Sequence, residues 1–144
     1  MAEIKEKTKK TAGSAVKSKK IVLIVEDETA LQEVAKLKLD KEGIETIVVG
    51  SGEDGLEALK KKKPDLIWLD ILLPGMNGLE FLRRVREDEA TKDLPVIVLS
   101  VSSGQEKVKQ AFSMNVVDYL VKSEYTIENV VKKVKNVLAA LAKE

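Results

Sequence analysis

Four polar or charged residues follow four short apolar stretches of the chain: Asp27, Asp70, Ser100 and Lys122. The stretches are rich in Val and Ile, which is typical of strands buried on both faces and therefore of a parallel sheet. Ligands of open parallel sheets bind just beyond the carboxyl ends of the strands. We therefore expect two carboxylates, a hydroxyl and an ammonium to converge there, a set that can hold a divalent cation and a phosphoryl group.

Three consecutive acids, Glu26, Asp27 and Glu28, follow the first predicted strand. Their carboxylates repel one another, and a hard cation relieves that repulsion. Mg²⁺ typically takes one or two carboxylates together with waters and phosphate oxygens. The alternative is that these acids only open the first helix, where negative charge is favourable, and this is the role we expect of Glu28.

Asp70 follows four apolar residues, 66–69, and a carboxylate in that place is costly to bury without a partner. If the first and third strands are neighbours they lie ~4.8 Å apart, so Asp27 and Asp70 can share one ion. A carboxylate held in this way can act as a nucleophile toward phosphorus, while the ion neutralises charge on the transferring group.

Lys122 and Ser100 complete the predicted cluster. Lys122 closes the fifth strand, two strand spacings or ~10 Å from the third, a distance that its side chain partly spans. We expect its ammonium to pair with Asp70 or with phosphate, and the Ser100 hydroxyl to donate a hydrogen bond to a phosphoryl oxygen. Taken singly, each also suits an ordinary role, as a solvated lysine or a serine that starts a loop.

The elements that must position these residues alternate strand and helix five times, which predicts a doubly wound α/β domain. The predicted strands are 21–25, 45–49, 66–70, 95–100 and 116–121, and the predicted helices are 29–42, 53–62, 79–87, 104–114 and 127–141. Gly43 and Asn115 suit the left-handed ends of two helices, and Ser51 suits a helix cap.

Composition narrows the function classes. The 144 residues are 44% hydrophobic, enough for one globular domain, and include neither Cys nor His. This excludes disulfides, thiolate metal sites and a phosphohistidine carrier. No apolar stretch approaches the ~20 residues of a membrane span, and the N-terminus lacks the apolar core of a secretory signal, so we predict a cytoplasmic protein.

Charge divides the chain in two. Residues 1–20 hold seven Lys and two Glu, whereas residues 21–144 hold 18 basic and 22 acidic residues. We predict a disordered basic tail over 1–20 and a folded domain over 21–144. A basic tail can touch nucleic acid, but we favour a solvated tail over a nucleic-acid anchor.

Four segments together resemble the receiver domain of two-component response regulators, especially stand-alone receivers of the chemotaxis type. They are Ile-Val-Leu-Ile-Val-Glu-Asp-Glu at 21–28, Asp-Ile-Leu-Leu-Pro-Gly-Met-Asn-Gly at 70–78, Val-Leu-Ser at 98–100 and Asp-Tyr-Leu-Val-Lys at 118–122. The likeness covers roughly residues 20–142. It implies a flavodoxin-like, five-stranded parallel sheet of strand order 2-1-3-4-5 with five helices.

The resemblance also implies roles at the site. Asp70 accepts a phosphoryl group from the phosphohistidine of a sensor kinase or phosphotransfer protein. Asp27 and Asp70 bind Mg²⁺ (or Mn²⁺), Glu26 assists through water, and the backbone carbonyl of Leu72 supplies another oxygen. Lys122 contacts the phosphoryl group.

A conformational switch is implied as well. Ser100 moves toward the phosphoryl group, and Tyr119 turns inward to fill the vacated space. The face formed by the fourth helix, fifth strand and fifth helix then changes its affinity for a downstream protein. Such a domain takes part in its own phosphotransfer and dephosphorylation but is not a turnover enzyme.

The chain departs from the family pattern at a few positions. Ser123 replaces the proline usual after the lysine, and Glu26 stands where many members have Asp. Val101 and Leu72 are larger or more apolar than usual, so we predict tighter access and slow loss of the phosphoryl group.

Two other functions fit the fold. A flavin carrier of this class binds a phosphate after the first strand, where free amides and hydroxyls are needed, and three acids there have the wrong charge. A phosphorylation-independent adaptor would keep the fold without the switch, and the presence of all four site residues argues against it.

Overall fold

A computed structural model of the protein describes residues 19–142, in which five strands alternate with five α-helices. The strands are β1 (Ile21–Val25), β2 (Glu45–Val49), β3 (Leu66–Leu69), β4 (Val96–Ser100) and β5 (Asp118–Val121). The helices are α1 (Thr29–Lys41), α2 (Gly52–Lys61), α3 (Gly78–Glu87), α4 (Gln105–Ser113) and α5 (Ile127–Ala142), and a 3₁₀ turn, Lys122–Glu124, follows β5. All but the last two residues of the predicted basic tail lie outside the described residues.

The sheet is parallel throughout, in the order β2-β1-β3-β4-β5, which confirms the predicted flavodoxin-like topology. Register sets the carboxyl ends side by side, because Val25 pairs with Leu69, Leu69 with Val98, and Ser100 with Val121. The residues at the carboxyl ends of β1, β3, β4 and β5 therefore lie together at one edge of the sheet.

Each face of the sheet carries its own core. Alternate residues of a strand point to opposite faces, so Ile67 and Leu69 pack with α2, α3 and α4, whereas Leu66 and Trp68 pack with α1 and α5. Trp68 is wholly buried, and its indole Nε1 has no hydrogen-bond partner within residues 19–142. No helix in that range is long and apolar enough to cross a membrane.

Local backbone chemistry bounds the elements much as predicted. The Ser51 hydroxyl accepts a hydrogen bond from the Asp54 amide at 3.1 Å and caps α2. Gly43 has φ +78° after α1, and Asn115 has φ +61° after α4. Glu28 occupies the N-cap position of α1, where it was expected to open that helix, but its side chain makes no cap hydrogen bond.

Candidate functional site

The end of β1 places the first acids. Glu26 continues the strand by donating its amide to the Val49 carbonyl at 3.1 Å, and its side chain is fully buried. The Glu26 carboxylate accepts the Glu28 amide at 3.0 Å, and the Gln32 side-chain amide donates to the Glu26 carbonyl. Asp27 is exposed. Hydrogen bonds to the backbone and to the side chain of Glu26 thus hold this loop in place. The loop presents the buried carboxylate of Glu26 and the accessible carboxylate of Asp27.

The end of β3 places Asp70. The Asp70 amide donates to the Val25 carbonyl at 3.0 Å, which sets Asp70 beside the acidic loop, and the residue is only 3% exposed. One carboxylate oxygen, Oδ1, accepts the Leu72 amide at 3.1 Å. The other oxygen, Oδ2, lies 3.2 Å from the Lys122 ammonium. The Leu72 amide and the Lys122 ammonium therefore fix the orientation of the Asp70 carboxylate.

Lys122 reaches this carboxylate from the turn after β5. Its ammonium lies 3.1 Å from Glu26 Oε1, 3.2 Å from Asp70 Oδ2 and 3.8 Å from Glu28 Oε1. β4 lies between β3 and β5, so the Lys122 side chain crosses the width of β4 to reach Asp70, as the predicted strand spacing requires. Glu28, expected only to open a helix, is also a third and more distant partner of the lysine.

The electrostatics of the cluster are dominated by carboxylates. Burial raises the pKa of Glu26, and the charge of Asp70 adds to this, while the Glu28 amide and Lys122 oppose it. Burial alone would lower the pKa of Lys122, but the charges of Asp70 and Glu26 outweigh it and raise that pKa overall. One ammonium faces more acids than it can neutralise, so the site favours an additional cation.

The donor set fits a hard divalent ion. Oxygens of Glu26, Asp27 and Asp70 all lie within 4.8 Å of one another. Glu26 Oε1 is buried and has no partner in hydrogen-bonding geometry among residues 19–142, although the Lys122 nitrogen is 3.1 Å away. Clustered carboxylate oxygens are the ligands that Mg²⁺ and Mn²⁺ prefer, and an under-satisfied buried oxygen is what such an ion would use.

Ser100 and Tyr119 flank the cluster on β4 and β5. Ser100 is fully buried, and its hydroxyl oxygen accepts the Ser102 amide at 3.3 Å. Tyr119 is 9% exposed, and its hydroxyl donates to the Ser102 carbonyl at 2.7 Å. The tyrosine side chain is thus turned inward in this structure, and burial raises the pKa of its phenol.

Two positions at which the chain departs from the family pattern are solvent-exposed. Leu72 is 42% exposed and Val101 is 61% exposed. The Val101 side chain therefore lies in solvent, which does not support the tighter access expected of it. Every peptide bond among residues 19–142 is trans, the Lys122–Ser123 bond included, and Lys122 still reaches Asp70.

Two polar contacts that hold the site loops escaped prediction. In the first, the Gln32 side-chain amide donates to the Glu26 carbonyl. In the second, the Glu53 carboxylate accepts the Met76 amide at 3.2 Å. Each partner belongs to the first turns of a helix, a place where polar residues are ordinary. Only the fold brings these helices against the loops, so no spacing in the sequence marks the contacts.

The fold and this cluster define an acidic pocket at the carboxyl edge of a doubly wound sheet. A family model described as the response regulator receiver domain matches residues 22–135. The chain belongs to this family, as its resemblance predicted.

Curated relatives include transcriptional regulatory protein AfsQ1 of Streptomyces coelicolor, 38% identical over 70% of this chain and 44% of that protein. The phosphate regulon regulator PhoB of Pseudomonas aeruginosa is 33% identical over 83% of this chain and 52% of its own. The chain therefore spans about half the length of the curated relatives it matches.

Solved structures of similar fold match more completely. Chemotaxis protein CheY4 of Vibrio cholerae has a TM-score of 0.77 at 26% identity, covering 83% of this chain and 99% of that chain. A putative response regulator from Chloroflexus aurantiacus has a TM-score of 0.76 at 34% identity, covering 85% and 99%. The Mn²⁺-bound form of response regulator Rcp1 has a TM-score of 0.71 at 28% identity, covering 82% and 91%.

Proposed function

We propose that this receiver domain accepts a phosphoryl group on Asp70 from the phosphohistidine of a sensor kinase or phosphotransfer protein, and that the modification changes its binding to a downstream protein. The observation that carries the proposal is the 3.2 Å approach of the Lys122 ammonium to Asp70 Oδ2, beside carboxylate oxygens that lie within 4.8 Å of one another. Lys122 is one cationic partner of Asp70, and the neighbouring carboxylates can bind a metal ion as a second.

In the proposed step, an Asp70 oxygen attacks phosphorus, and a P–O bond forms as the P–N bond of the phosphohistidine breaks. The electron pair of that bond stays on the imidazole nitrogen, which takes a proton from solvent. Lys122, already at the carboxylate, holds a phosphoryl oxygen, and Ser100 donates a hydrogen bond to another.

Glu26, Asp27, Asp70 and the Leu72 carbonyl would hold Mg²⁺ or Mn²⁺ beside the acceptor. When bound, the ion supplies charge neutralisation for the transferring phosphoryl group. The similar response regulator Rcp1 has been solved in a Mn²⁺-bound form, which supports a divalent ion here. In this structure the buried Glu26 carboxylate pairs directly with Lys122, so its assistance through water depends on a rearrangement around that ammonium.

The switch we propose runs from Ser100 and Tyr119 to the face formed by α4, β5 and α5. Phe112 and Val117 lie exposed at or near this face, at 46% and 42%, and offer apolar contact to a protein partner. The inward Tyr119 favours a second candidate, an adaptor whose binding face is set without phosphorylation. Equal partner affinity with and without phosphoryl donor would select the adaptor.

The domain thus acts as a phosphorylated signalling protein in the cytoplasm rather than as a turnover enzyme. Nucleic acid is not among the partners we propose for the described residues, which carry an excess of acidic side chains. The partner that we propose for the face formed by α4, β5 and α5 is a protein.

The testing experiment follows phosphoryl uptake by intact mass in the full chain, with acetyl phosphate and Mg²⁺. Wild type should gain one phosphoryl group and Asp70→Asn none, while Asp54→Asn, an exposed carboxylate on α2, should match wild type. Trp68, two residues before Asp70, should report Mg²⁺ binding by fluorescence. An unmodified wild-type chain would overturn the proposal.

The lifetime of the phosphoryl group is a second measurement. We predict slow loss, because Asp70 is only 3% exposed and Leu72, although 42% exposed itself, adds an apolar side chain near the site. A half-life below a few seconds at room temperature would contradict this prediction.

A further inference from the structure

We propose that Glu53 is a positioning residue of the metal site, which fixes the β3–α3 loop from α2 and so raises the affinity for the divalent ion. This inference rests on the proposed function, because the loop matters through the Leu72 carbonyl, one of the proposed ligands. Glu53 touches neither the ion nor the phosphoryl group and acts only through the backbone of the loop.

The base of the loop is closed by backbone against backbone. The Gly78 amide donates to the Ile71 carbonyl at 2.8 Å. A Cβ atom at Gly78 would lie 2.4 Å from the Asp70 carbonyl oxygen and 2.6 Å from Ile71 Cα, so only glycine permits this approach. The first and last residues of the loop are therefore held at a fixed separation.

The far side of the loop is held by Glu53. Its carboxylate accepts the Met76 amide at 3.2 Å. Gly75 has φ +69°, and a Cβ atom there would lie 3.0 Å from the same Glu53 oxygen, so the glycine leaves room for the carboxylate. Within residues 19–142, no other side chain from a separate helix hydrogen-bonds to the backbone of residues 71–77.

Leu72 lies between these two anchors. Its amide is bound to Asp70 Oδ1 at 3.1 Å, while its carbonyl accepts no hydrogen bond from residues 19–142 and is therefore available to the ion. If Glu53 is removed, the loop samples more conformations before the ion binds. Ordering it then opposes binding, so the affinity falls, whereas the chemistry of the loaded site does not change.

The test compares three variants of the full chain by Mg²⁺ titration of Trp68 fluorescence. Glu53→Ala should weaken Mg²⁺ binding about fivefold, because only part of the free energy of this hydrogen bond orders the loop for the ion. Glu53→Gln keeps an acceptor oxygen and should stay within about twofold of wild type. Glu57→Ala, one turn along α2 and paired with Lys60 on the surface, is the matched control and should also stay within about twofold.

Amide exchange of Met76 without metal gives a readout that does not depend on activity. Exchange should be faster in Glu53→Ala and unchanged in Glu57→Ala, because only Glu53 protects that amide. The phosphorylation rate at saturating Mg²⁺ should be nearly the same in all chains.

Each unfavourable outcome has its own meaning. A wild-type Mg²⁺ response that Glu53→Ala leaves unchanged would overturn the inference alone. Equal weakening by Glu53→Gln and Glu53→Ala would also overturn it, since charge rather than loop anchoring would then be responsible. A wild-type chain that never responds to Mg²⁺ would overturn the proposed function, and the inference with it.

Discussion

Lys122 and Asp70 are separated by 52 positions, yet the fold brings the ammonium nitrogen of one to 3.2 Å from a carboxylate oxygen of the other. The same ammonium lies 3.1 Å from the buried Glu26 carboxylate. One lysine therefore serves two buried acids, and the stability of the pocket depends on it.

Replacing Lys122 with Ala should lower the free energy of unfolding by about 2 kcal/mol, because buried carboxylates are left without their partner. Urea unfolding with and without Mg²⁺ measures this, and Mg²⁺ should restore more stability in the variant than in wild type. Lys133→Ala removes a more exposed pair with Asp118, at 2.8 Å, and should cost below about 1 kcal/mol with no Mg²⁺ effect. Equal losses in the two variants would contradict the prediction.

Replacing Glu26 with Gln should raise the metal-free free energy of unfolding by about 1 kcal/mol while weakening Mg²⁺ binding. The amide keeps an acceptor for the Glu28 amide but removes a buried charge that the site only partly compensates. Urea unfolding and Mg²⁺ titration of the same preparation provide both quantities. A less stable variant would show that the Lys122 pair outweighs the burial of the Glu26 charge.

Replacing Gly78 with Ala should destabilise the chain by about 3 kcal/mol, because the methyl group meets backbone atoms that cannot rotate away. Gly104→Ala is the matched control, since a Cβ atom there would meet no atom of residues 19–142 within 4 Å. It should change the free energy of unfolding by less than about 1 kcal/mol. Similar thermal midpoints for the two variants would count against the close approach at Gly78.

The Tyr119 phenol should make stability depend on alkaline pH. Its pKa is raised by burial, so the folded chain keeps a proton that the unfolded chain releases near its ordinary value of 10.0. The stability from the neutral phenol is therefore complete below that value and is lost as pH rises through the folded pKa. In Tyr119→Phe, the loss of stability that comes from ionisation of the phenol should be absent. Urea unfolding between neutral and alkaline pH measures this. Parallel curves for the variant and wild type would contradict this.

Local patterns were enough to predict the sheet and the residues at its edge. Short Val- and Ile-rich stretches and the Ser51, Gly43 and Asn115 signals act within a few residues, so the sequence displays them directly. The family resemblance added the strand order, and the structure confirms that β1 and β3 are neighbours.

Other features depend on which helix packs against which loop. The Glu53–Met76 bond joins residues 23 positions apart, and the Lys122–Glu28 approach depends on the turn after β5. None of these contacts has a periodicity or spacing that could have announced it.

The level register of the four strand ends has one more consequence. No single βα unit carries the pocket, because its groups are delivered by β1, β3, β4 and β5 and meet only when all four strands are paired. Chemical competence is then a property of the cooperatively assembled sheet, and acceptor reactivity should disappear over the same range of denaturant as the backbone pairing itself.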